Sequence, residues 1–246
     1  MDRKYWEDVA LVHDDKIFDV YSNDRQQVIH KNILKYASPD KTAMDLGCAI
    51  GNWLPMLSGA FKKVYAVDIA RHYINLAQEK NMHLPNIEYI HADLGKLKTK
   101  LTADMVVCIN TLLTPNNKSR NAAYETVIKA VAKNGYLVLV VPALESALYS
   151  EFILTQWNER DRKAGKKVSK EAMKQGDPFA GIIHLDTTPT KHYLKDELYF
   201  MLQHSGFEVV EAQKVEYTWA TEFNNPPKWL TAPCPWDWLV VAKRVK

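Results

Sequence analysis

Asp45, Gly47 and Gly51 follow one another closely, directly after a short apolar run at 42–44. Such a run predicts a buried strand that turns into a helix over 52–60, and glycine allows a tight turn and the close approach of a ligand. A second acid, Asp68, ends the next apolar run about 20 residues later, the separation expected of a carboxylate that holds ribose hydroxyls. Together these residues predict a site for adenosine.

The spacing also separates two classes of cofactor. A dinucleotide site has three glycines in the pattern G-x-G-x-x-G, so that a helix N-terminus can hold a pyrophosphate. Here Ala49 replaces the middle glycine, and Asp45 lies two residues before the first one. A carboxylate at that position would repel a diphosphate and attract an ammonium group, directly or through water. The loop therefore favours a cationic amino-acid nucleoside over NAD.

With this motif the chain resembles the class I S-adenosylmethionine-dependent methyltransferases, whose first motif is acid-x-Gly-x-Gly-x-Gly, with alanine common at the middle glycine. The resemblance extends from about residue 41 onward, because later segments follow the order and spacing of that family's strands. These segments are 87–94, 104–110, 135–141, a step of helix, Gly-Phe and strand at 204–210, and an antiparallel strand at 236–244. The resemblance implies S-adenosylmethionine as the methyl donor and S-adenosylhomocysteine as the product.

The elements that must position this site form an α/β fold. We expect a doubly wound, mostly parallel seven-stranded sheet with helices on both faces and the last strand antiparallel. Residues at helical spacing, such as Ala70, Tyr73 and Ala77, fill the gaps between strands, and the strands are apolar runs, as expected for strands covered on both faces. The length of 246 residues, 47% of them hydrophobic, is compatible with a single methyltransferase domain over 1–246.

Two regions lie outside the predicted sheet. Residues 1–40 contain a helical pattern around Ile29, Ile33 and Tyr36, and in the resembling family such a segment often folds over the cofactor as a lid. Residues 142–192 form a long insertion after the fifth strand. Because it leaves the carboxyl edge of a parallel sheet, we expect this insertion to act as a cap over the substrate.

The resemblance also assigns roles to individual residues. Asp45 and Gly47 would hold the amino-acid end of the cofactor, Gly51 would permit its close approach, and Asp68 would bind the ribose. At the other end, Asp93 with the amide of Leu94 would contact the adenine. The complete set of predicted cofactor-binding residues is Asp45, Gly47, Cys48, Gly51, Asp68, Ile69, Asp93, Leu94 and Asn110, the last of them near the transferred methyl group.

Methyl transfer from a sulfonium needs alignment of the acceptor and, where the acceptor carries a proton, a base. A strong catalytic motif is therefore not required. His184 is our candidate base, because imidazole titrates near neutrality and Asp186 could orient it, although a histidine beside apolar residues is more often structural. His192, near the start of the following helix, is a weaker candidate. No spacing of acids and histidines indicates a metal site.

The residues after Asn110 bear on the acceptor. Amino methyltransferases that act on adenine or glutamine often have an Asn/Asp-Pro-Pro-aromatic stretch there, whereas this chain has 111–115, Thr-Leu-Leu-Thr-Pro. We therefore predict transfer to O or N of a small molecule, with transfer to carbon less favoured. The alternatives are an RNA or protein methyltransferase, and a noncatalytic subunit that binds a partner through its cap. The intact series of acids and glycines argues against the noncatalytic alternative.

Charge and aromatic residues add little evidence for a macromolecular partner. The formal net charge is +3, and the basic run 158–170 contains Glu159 and Asp161 and lacks interleaved aromatics, which favours a solvated surface over nucleic-acid binding. A group of aromatic residues near the C-terminus is predicted to pack in the core or beneath a proline-rich loop, with some members free to line an apolar pocket: Trp219, Phe223, Trp229, Trp236 and Trp238.

The cysteines and the lengths of the apolar runs bear on disulfides, metal binding and membrane insertion. Cys48, Cys108 and Cys234 lack the spacing of metal ligands, so the sequence supports neither a disulfide framework nor a zinc site, and small buried thiols are expected. The N-terminus lacks the apolar core of a signal peptide, and no apolar run approaches the roughly 18 residues of a membrane span. We therefore expect a cytoplasmic protein without a membrane partner; the sequence does not predict its oligomeric state.

Overall fold

The structure is a computed structural model that describes residues 1–11, 18–97, 101–171, 173–185 and 187–246. Its strands are β1 (Thr42–Leu46), β2 (Lys63–Asp68), β3 (Ile87–His91), β4 (Ala103–Ile109), β5 (Val131–Pro142), β6 (Gly176–Asp177), β7 (Ile182–Leu185), β8 (Thr188–Lys191), β9 (Phe207–Glu216) and β10 (Trp236–Arg244). Its helices are α1 (Arg3–Ala10), α2 (Val20–Asn23), α3 (Val28–Tyr36), α4 (Leu54–Ala60), α5 (Arg71–Lys80), α6 (Asn117–Ala130), α7 (Leu144–Lys163) and α8 (Lys195–His204).

Seven strands form one sheet in the order β3-β2-β1-β4-β5-β10-β9. Strands β1 to β5 are mutually parallel, and β10 lies between β5 and β9 and runs antiparallel to both. The predicted doubly wound sheet with an antiparallel last strand is therefore confirmed. Its strand order reverses at β1, from which the chain proceeds outward on one side through β2 and β3 and later on the other side through β4 and β5.

The fifth strand begins earlier than predicted. Val131 already pairs with Ala103, and the register then shifts before Tyr136 pairs with Met105. The predicted strand segment begins at residue 135, whereas α6 ends at Ala130 and β5 begins at Val131. Gly135 is required in the irregular part of the strand, since a Cβ there would lie 2.7 Å from the Asp104 carbonyl oxygen.

Two apolar layers cover the two faces of the sheet. Helices α3, α4 and α5 pack on one face together with Met105 and Val107 of β4, and helices α6 and α8 pack on the other with Val106 and Cys108. The alternation along β4 follows from the twofold periodicity of side chains in a strand. Because both faces of the central strands β1, β2, β4 and β5 are largely buried, these strands are mostly apolar, and the polar groups of the site lie at or near strand ends.

The insertion after β5 consists of α7 and a small antiparallel sheet of β6, β7 and β8. Leu154 and Trp157 of α7 form a separate apolar cluster with Trp219 and Phe223, which follow β9. Trp236 and Trp238 are buried as well, and Trp229 packs partly buried against the same cluster. The insertion is thus attached to the segment between β9 and β10. Among the described helices, none has the length and apolarity needed to cross a bilayer.

Candidate active site

The carboxyl ends of the parallel strands open onto a cavity of about 910 Å³. The first residues of β10 reach the same edge, because Asp237 pairs with Pro142 at the end of β5. Further parts of the wall come from the N-terminal segment, from the insertion after β5, from α6 and from the connection between β9 and β10. Ligands of open α/β sheets bind at this edge where the strand order reverses, and the volume lies near the upper end of the ~300–1,000 Å³ typical of ligand pockets.

Gly47 forms the turn that leaves β1. Its N–H donates to the carbonyl oxygen of Val67 at 2.8 Å, and the N–H of Cys48 donates to the same oxygen at 3.0 Å, so the loop is tied to the end of β2. Gly47 has a φ of +83°, and a Cβ there would overlap the side chain of Thr111. Since Gly47 and Cys48 both line the cavity, a ligand can approach the bare backbone.

Gly51 has a different physical role from the one predicted. It is not among the residues that line the cavity. Its φ is +76°, and a Cβ would lie 2.7 Å from Leu54 Cδ1 and 2.8 Å from Asn81 Nδ2. The position therefore needs glycine because the loop packs closely against helices α4 and α5, rather than because a cofactor approaches it.

Asp45 is the most deeply buried carboxylate of the cavity wall. The residue is 2% exposed, and its Oδ2 has no hydrogen-bond partner among the described residues. Burial, with a contribution from the charge of Asp68, raises the pKa of Asp45 to about 7. A buried acceptor atom without a donor is costly, so this position is suited to a ligand that brings a cationic N–H group.

Asp68 ends β2 and holds the glycine loop from below. One of its oxygens accepts a hydrogen bond from the N–H of Ala49 at 2.9 Å, and the other accepts from the N–H of Ala70 at 2.9 Å. Burial raises the pKa of Asp68 to about 6, although hydrogen bonds from these N–H groups lower it. Asp68 and the following Ile69 line the cavity.

Asp93 and Leu94 follow β3, the edge strand that pairs with β2. Both residues line the cavity. One oxygen of Asp93 accepts from the N–H of Gly95 at 2.9 Å, and the other lies 3.4 Å from Lys96 Nζ. The side chain is therefore oriented by its own turn. Eight of the nine predicted cofactor residues, all except Gly51, meet in this one cavity.

Asn110 is held by Asp237 and Tyr217, which belong to no recognised sequence motif. Its Nδ2 donates to Asp237 Oδ2 at 3.0 Å, and the same oxygen accepts from the hydroxyl of Tyr217 at 2.8 Å. Burial raises the pKa of Asp237 to about 6. The sequence does mark Asp237 in one way, because it is a lone acid near the start of an otherwise apolar strand. Since that strand is antiparallel, its amino end lies beside the carboxyl ends of the parallel strands.

His184 does not line the cavity. It lies on β7 next to Leu185, which pairs with Thr188, and both of these neighbours contribute to the wall. Because successive side chains of a strand point to opposite faces, His184 is on the face turned away from the cavity. Asp186, the predicted orienting group, lies outside the described residues.

His192 lies just after β8 and does line the cavity. The residue is 5% exposed, and its Nδ1 is 3.1 Å from the carbonyl oxygen of Thr190. A carbonyl only accepts, so Nδ1 carries the hydrogen and Nε2 is free to accept. Burial lowers the pKa of His192 to about 4, so the ring is neutral near pH 7.

The N-terminal segment is fastened to the helix that follows Asp68. The two carboxylate oxygens of Glu7 accept from the N–H groups of Arg71 at 2.6 Å and His72 at 3.1 Å, which lie in the first turn of α5. Tyr5 and Trp6 of the same segment line the cavity. Among the described residues, no group of three or more His, Cys, Asp or Glu side chains is arranged to hold a metal ion.

Comparisons with known proteins agree with this geometry. Residues 43–135 match the protein family described as "Methyltransferase domain". No curated protein sequence matches the chain. Among solved structures, the DhpI-SAM-HEP complex is 16% identical with a TM-score of 0.61, over 98% of this chain and 94% of that one.

Two further structures are similar. The N-methyltransferase NodS from Bradyrhizobium japonicum WM9, in complex with S-adenosyl-l-homocysteine, is 13% identical with a TM-score of 0.57, over 90% of this chain and 87% of that one. The magnesium protoporphyrin IX methyltransferase from Synechocystis PCC 6803, with bound SAH, is 16% identical with a TM-score of 0.54, over 92% of this chain and 81% of that one.

The family match covers the glycine loop and the carboxylates at the ends of β1, β2 and β3, and the likeness of fold extends over most of the chain. Residues 43–135 therefore match a methyltransferase domain, and the chain as a whole has the fold of the class I S-adenosylmethionine-dependent methyltransferases.

The burial of Asp45 predicts a pH-dependent gain in stability for Asp45→Asn. The ordinary pKa of 3.8 rises to about 7 in the folded protein, so between these values the folded state holds the proton that the unfolded chain has released. The stability contributed by this group therefore falls as pH rises through that range. We expect Asp45→Asn to unfold at a higher temperature than the unmodified protein at about pH 8, by a free energy on the order of 3 kcal/mol.

Thermal unfolding at about pH 5 and about pH 8 measures this difference. At the lower pH the two proteins should unfold at more similar temperatures, because the carboxyl group is then mostly protonated. A difference that is the same at both pH values, or a variant that is less stable at about pH 8, would contradict this assignment.

Proposed function

We propose that the cavity binds S-adenosylmethionine and that the enzyme transfers its methyl group to O or N of a small molecule by in-line displacement. The observation that carries the proposal is the buried, unpartnered Oδ2 of Asp45 beside the glycine loop of a methyltransferase domain. A cationic amino group would both donate a hydrogen bond to this atom and offset the charge of the carboxylate.

The other residues of the loop fit the same cofactor. Asp68 uses its oxygens for the N–H groups of Ala49 and Ala70, and each oxygen keeps a lone pair with which it can accept from a ribose hydroxyl. Asp93 and the backbone of Leu94 lie beyond it, on the β3 side of the cavity, where we place the adenine. Asn110 lies on the opposite side of β1, at the end of β4, where we place the methyl group.

S-adenosylmethionine supplies an activated methyl group on a sulfonium sulfur. The protein then contributes mainly alignment and exclusion of water. We propose that residues 1–246 act as one domain in which the segment 1–40 closes over the cofactor and the insertion 142–192 covers the acceptor. This division is supported by the position of Tyr5 and Trp6 in one wall and of Thr190 and His192 in the other.

A small-molecule acceptor is supported by the walls of the cavity and by the structural neighbours. The cavity is bounded by both the N-terminal segment and the insertion, and one neighbour is a methyltransferase of magnesium protoporphyrin IX. The basic run 158–170 does not line the cavity, and it contains the Glu159–Lys163 ion pair at 2.9 Å. An RNA or protein acceptor therefore has less support, and the buried carboxylates give a noncatalytic subunit no evident use for the site.

The first test is calorimetry with S-adenosylhomocysteine. We expect the protein to bind it, and Asp68→Ala to lower the affinity by about tenfold to a hundredfold, as is typical for the loss of charged hydrogen bonds. Asp104→Ala is the matched control. Like Asp68, Asp104 accepts two hydrogen bonds, in this case from Thr42 on the neighbouring strand, but it does not line the cavity.

Circular dichroism of both variants should show that they remain folded. Absence of binding by the unmodified protein, or equal losses in Asp68→Ala and Asp104→Ala, would argue against the proposed cofactor site.

A second test concerns the histidine predicted from the sequence. Because His184 lies on the face of β7 turned away from the cavity, we expect His184→Ala to keep its affinity for S-adenosylhomocysteine and its methyl-transfer rate within about twofold. The rate is measured as incorporation of labelled methyl groups into a metabolite extract. Loss of turnover with unchanged cofactor affinity would restore His184 as the base.

A further inference from the structure

The cavity has a second polar region beyond the residues that we assign to the cofactor. It lies at the edge of the sheet where β4 and β9 end and β10 begins. His192 lies in the adjacent wall. The side chains that line it are Asn110, Lys174, His192, Tyr217, Trp236 and Asp237. Because Asn110 is the residue that we place nearest to the methyl group, this region is where the acceptor must enter.

Asp237 is the carboxylate of this region. It is 8% exposed, and no lysine, arginine or histidine in the described part of the chain lies within ion-pair distance of it. Its Oδ2 accepts from Asn110 and Tyr217. Buried carboxylates usually have a cationic partner, so this one is suited to a cation that arrives with the substrate.

Asn110 presents a second acceptor atom at the same place. The Nδ2 of Asn110 donates to Asp237. The oxygen of the same amide, Oδ1, is buried and has no hydrogen-bond partner in the described structure. The backbone of Asn110 is held in the left-handed region, at a φ of +47°. Two acceptor groups therefore converge where a ligand with more than one N–H would satisfy both.

The charge of the whole wall favours the same ligand. Eight carboxylates line the cavity against two lysines, and no arginine is among the lining residues that the structure describes. Both lysines are paired, since Lys96 lies 3.4 Å from Asp93 and Lys174 forms an ion pair with Glu222. A carboxylate or phosphate on the acceptor would meet repulsion from this excess of negative charge.

We propose that the acceptor is a primary or secondary amine on an apolar carbon skeleton, received by Asp237 and by Oδ1 of Asn110. An ammonium group brings two or three N–H donors, whereas an alcohol brings one O–H. The rings of Tyr217 and Trp236 supply an apolar wall for the skeleton. This inference rests on the proposed methyl transfer and narrows its acceptor from O or N to N.

The chemical step balances with Asp237 as the proton acceptor. Asp237 takes one proton from the ammonium form of the acceptor and later releases it to solvent. The lone pair freed on nitrogen forms the new N–CH3 bond while the bond from that methyl carbon to the sulfonium sulfur breaks. The products are a methylated ammonium and a neutral thioether, and one proton is released overall.

The test uses the protein saturated with S-adenosylhomocysteine, after calorimetry has established that this product binds. Benzylamine, phenethylamine and cyclohexylmethylamine are then compared, by calorimetry and thermal shift, with the alcohol and the carboxylate of the same skeleton. We expect at least one amine to bind about tenfold or more tightly than both of its matched compounds. If no amine is preferred, the inference is overturned and the proposed cofactor site still stands.

Two variants separate a binding role of Asp237 from a structural one. Asp237→Asn should lower the affinity for the preferred amine by about tenfold or more and leave the affinity for S-adenosylhomocysteine within about threefold. Tyr217→Phe also removes a hydrogen bond from Oδ2 but keeps the carboxylate, so it should retain the amine preference. An amine preference that survives in Asp237→Asn, or that is lost equally in both variants, would overturn the proposal.

Discussion

The burial of three carboxylates at one edge of the sheet is the constraint on which the site depends. Asp45, Asp68 and Asp237 are each less than a tenth exposed, and burial raises the pKa of each. None of them has a lysine or arginine partner among the described residues. The folded protein therefore carries a desolvation cost that a cationic ligand would relieve, which is the physical basis of the proposed preference for positively charged ligands.

The sheet brings these groups together because strand direction and strand order decide which residues share an edge. Asp45 and Asp68 lie at the carboxyl ends of parallel strands, and Asp237 lies at the amino end of the one antiparallel strand beside β5. The apolar layers on both faces fix the strand ends in place. The strands thus hold the carboxylates in place, while residues of the N-terminal segment and of the insertion line other parts of the cavity wall.

Local signals in the sequence were enough for the fold and for the half of the site formed by the first three strands. Asp45, Asp68 and Asp93 each follow an apolar run, so their position at a strand end could be inferred without the structure. Asp237 required knowledge of the antiparallel register, which depends on pairing with a distant strand. Whether His184 or His192 lines the cavity depends on which face of a short hairpin meets it. A shift of one residue reverses that face, so the sequence alone could not decide between them. Gly51 was predicted to be a glycine of the loop, yet its packing against Leu54 and Asn81 involves contacts that the motif alone does not reveal.

The most direct test of the central claim is a crystal structure of the protein with S-adenosylhomocysteine. We expect the amino group of the ligand to lie within hydrogen-bonding distance of Asp45 Oδ2, and its ribose hydroxyls to donate to Asp68. A ligand bound elsewhere, or a cavity filled by side chains or by a dinucleotide in place of this nucleoside, would contradict it.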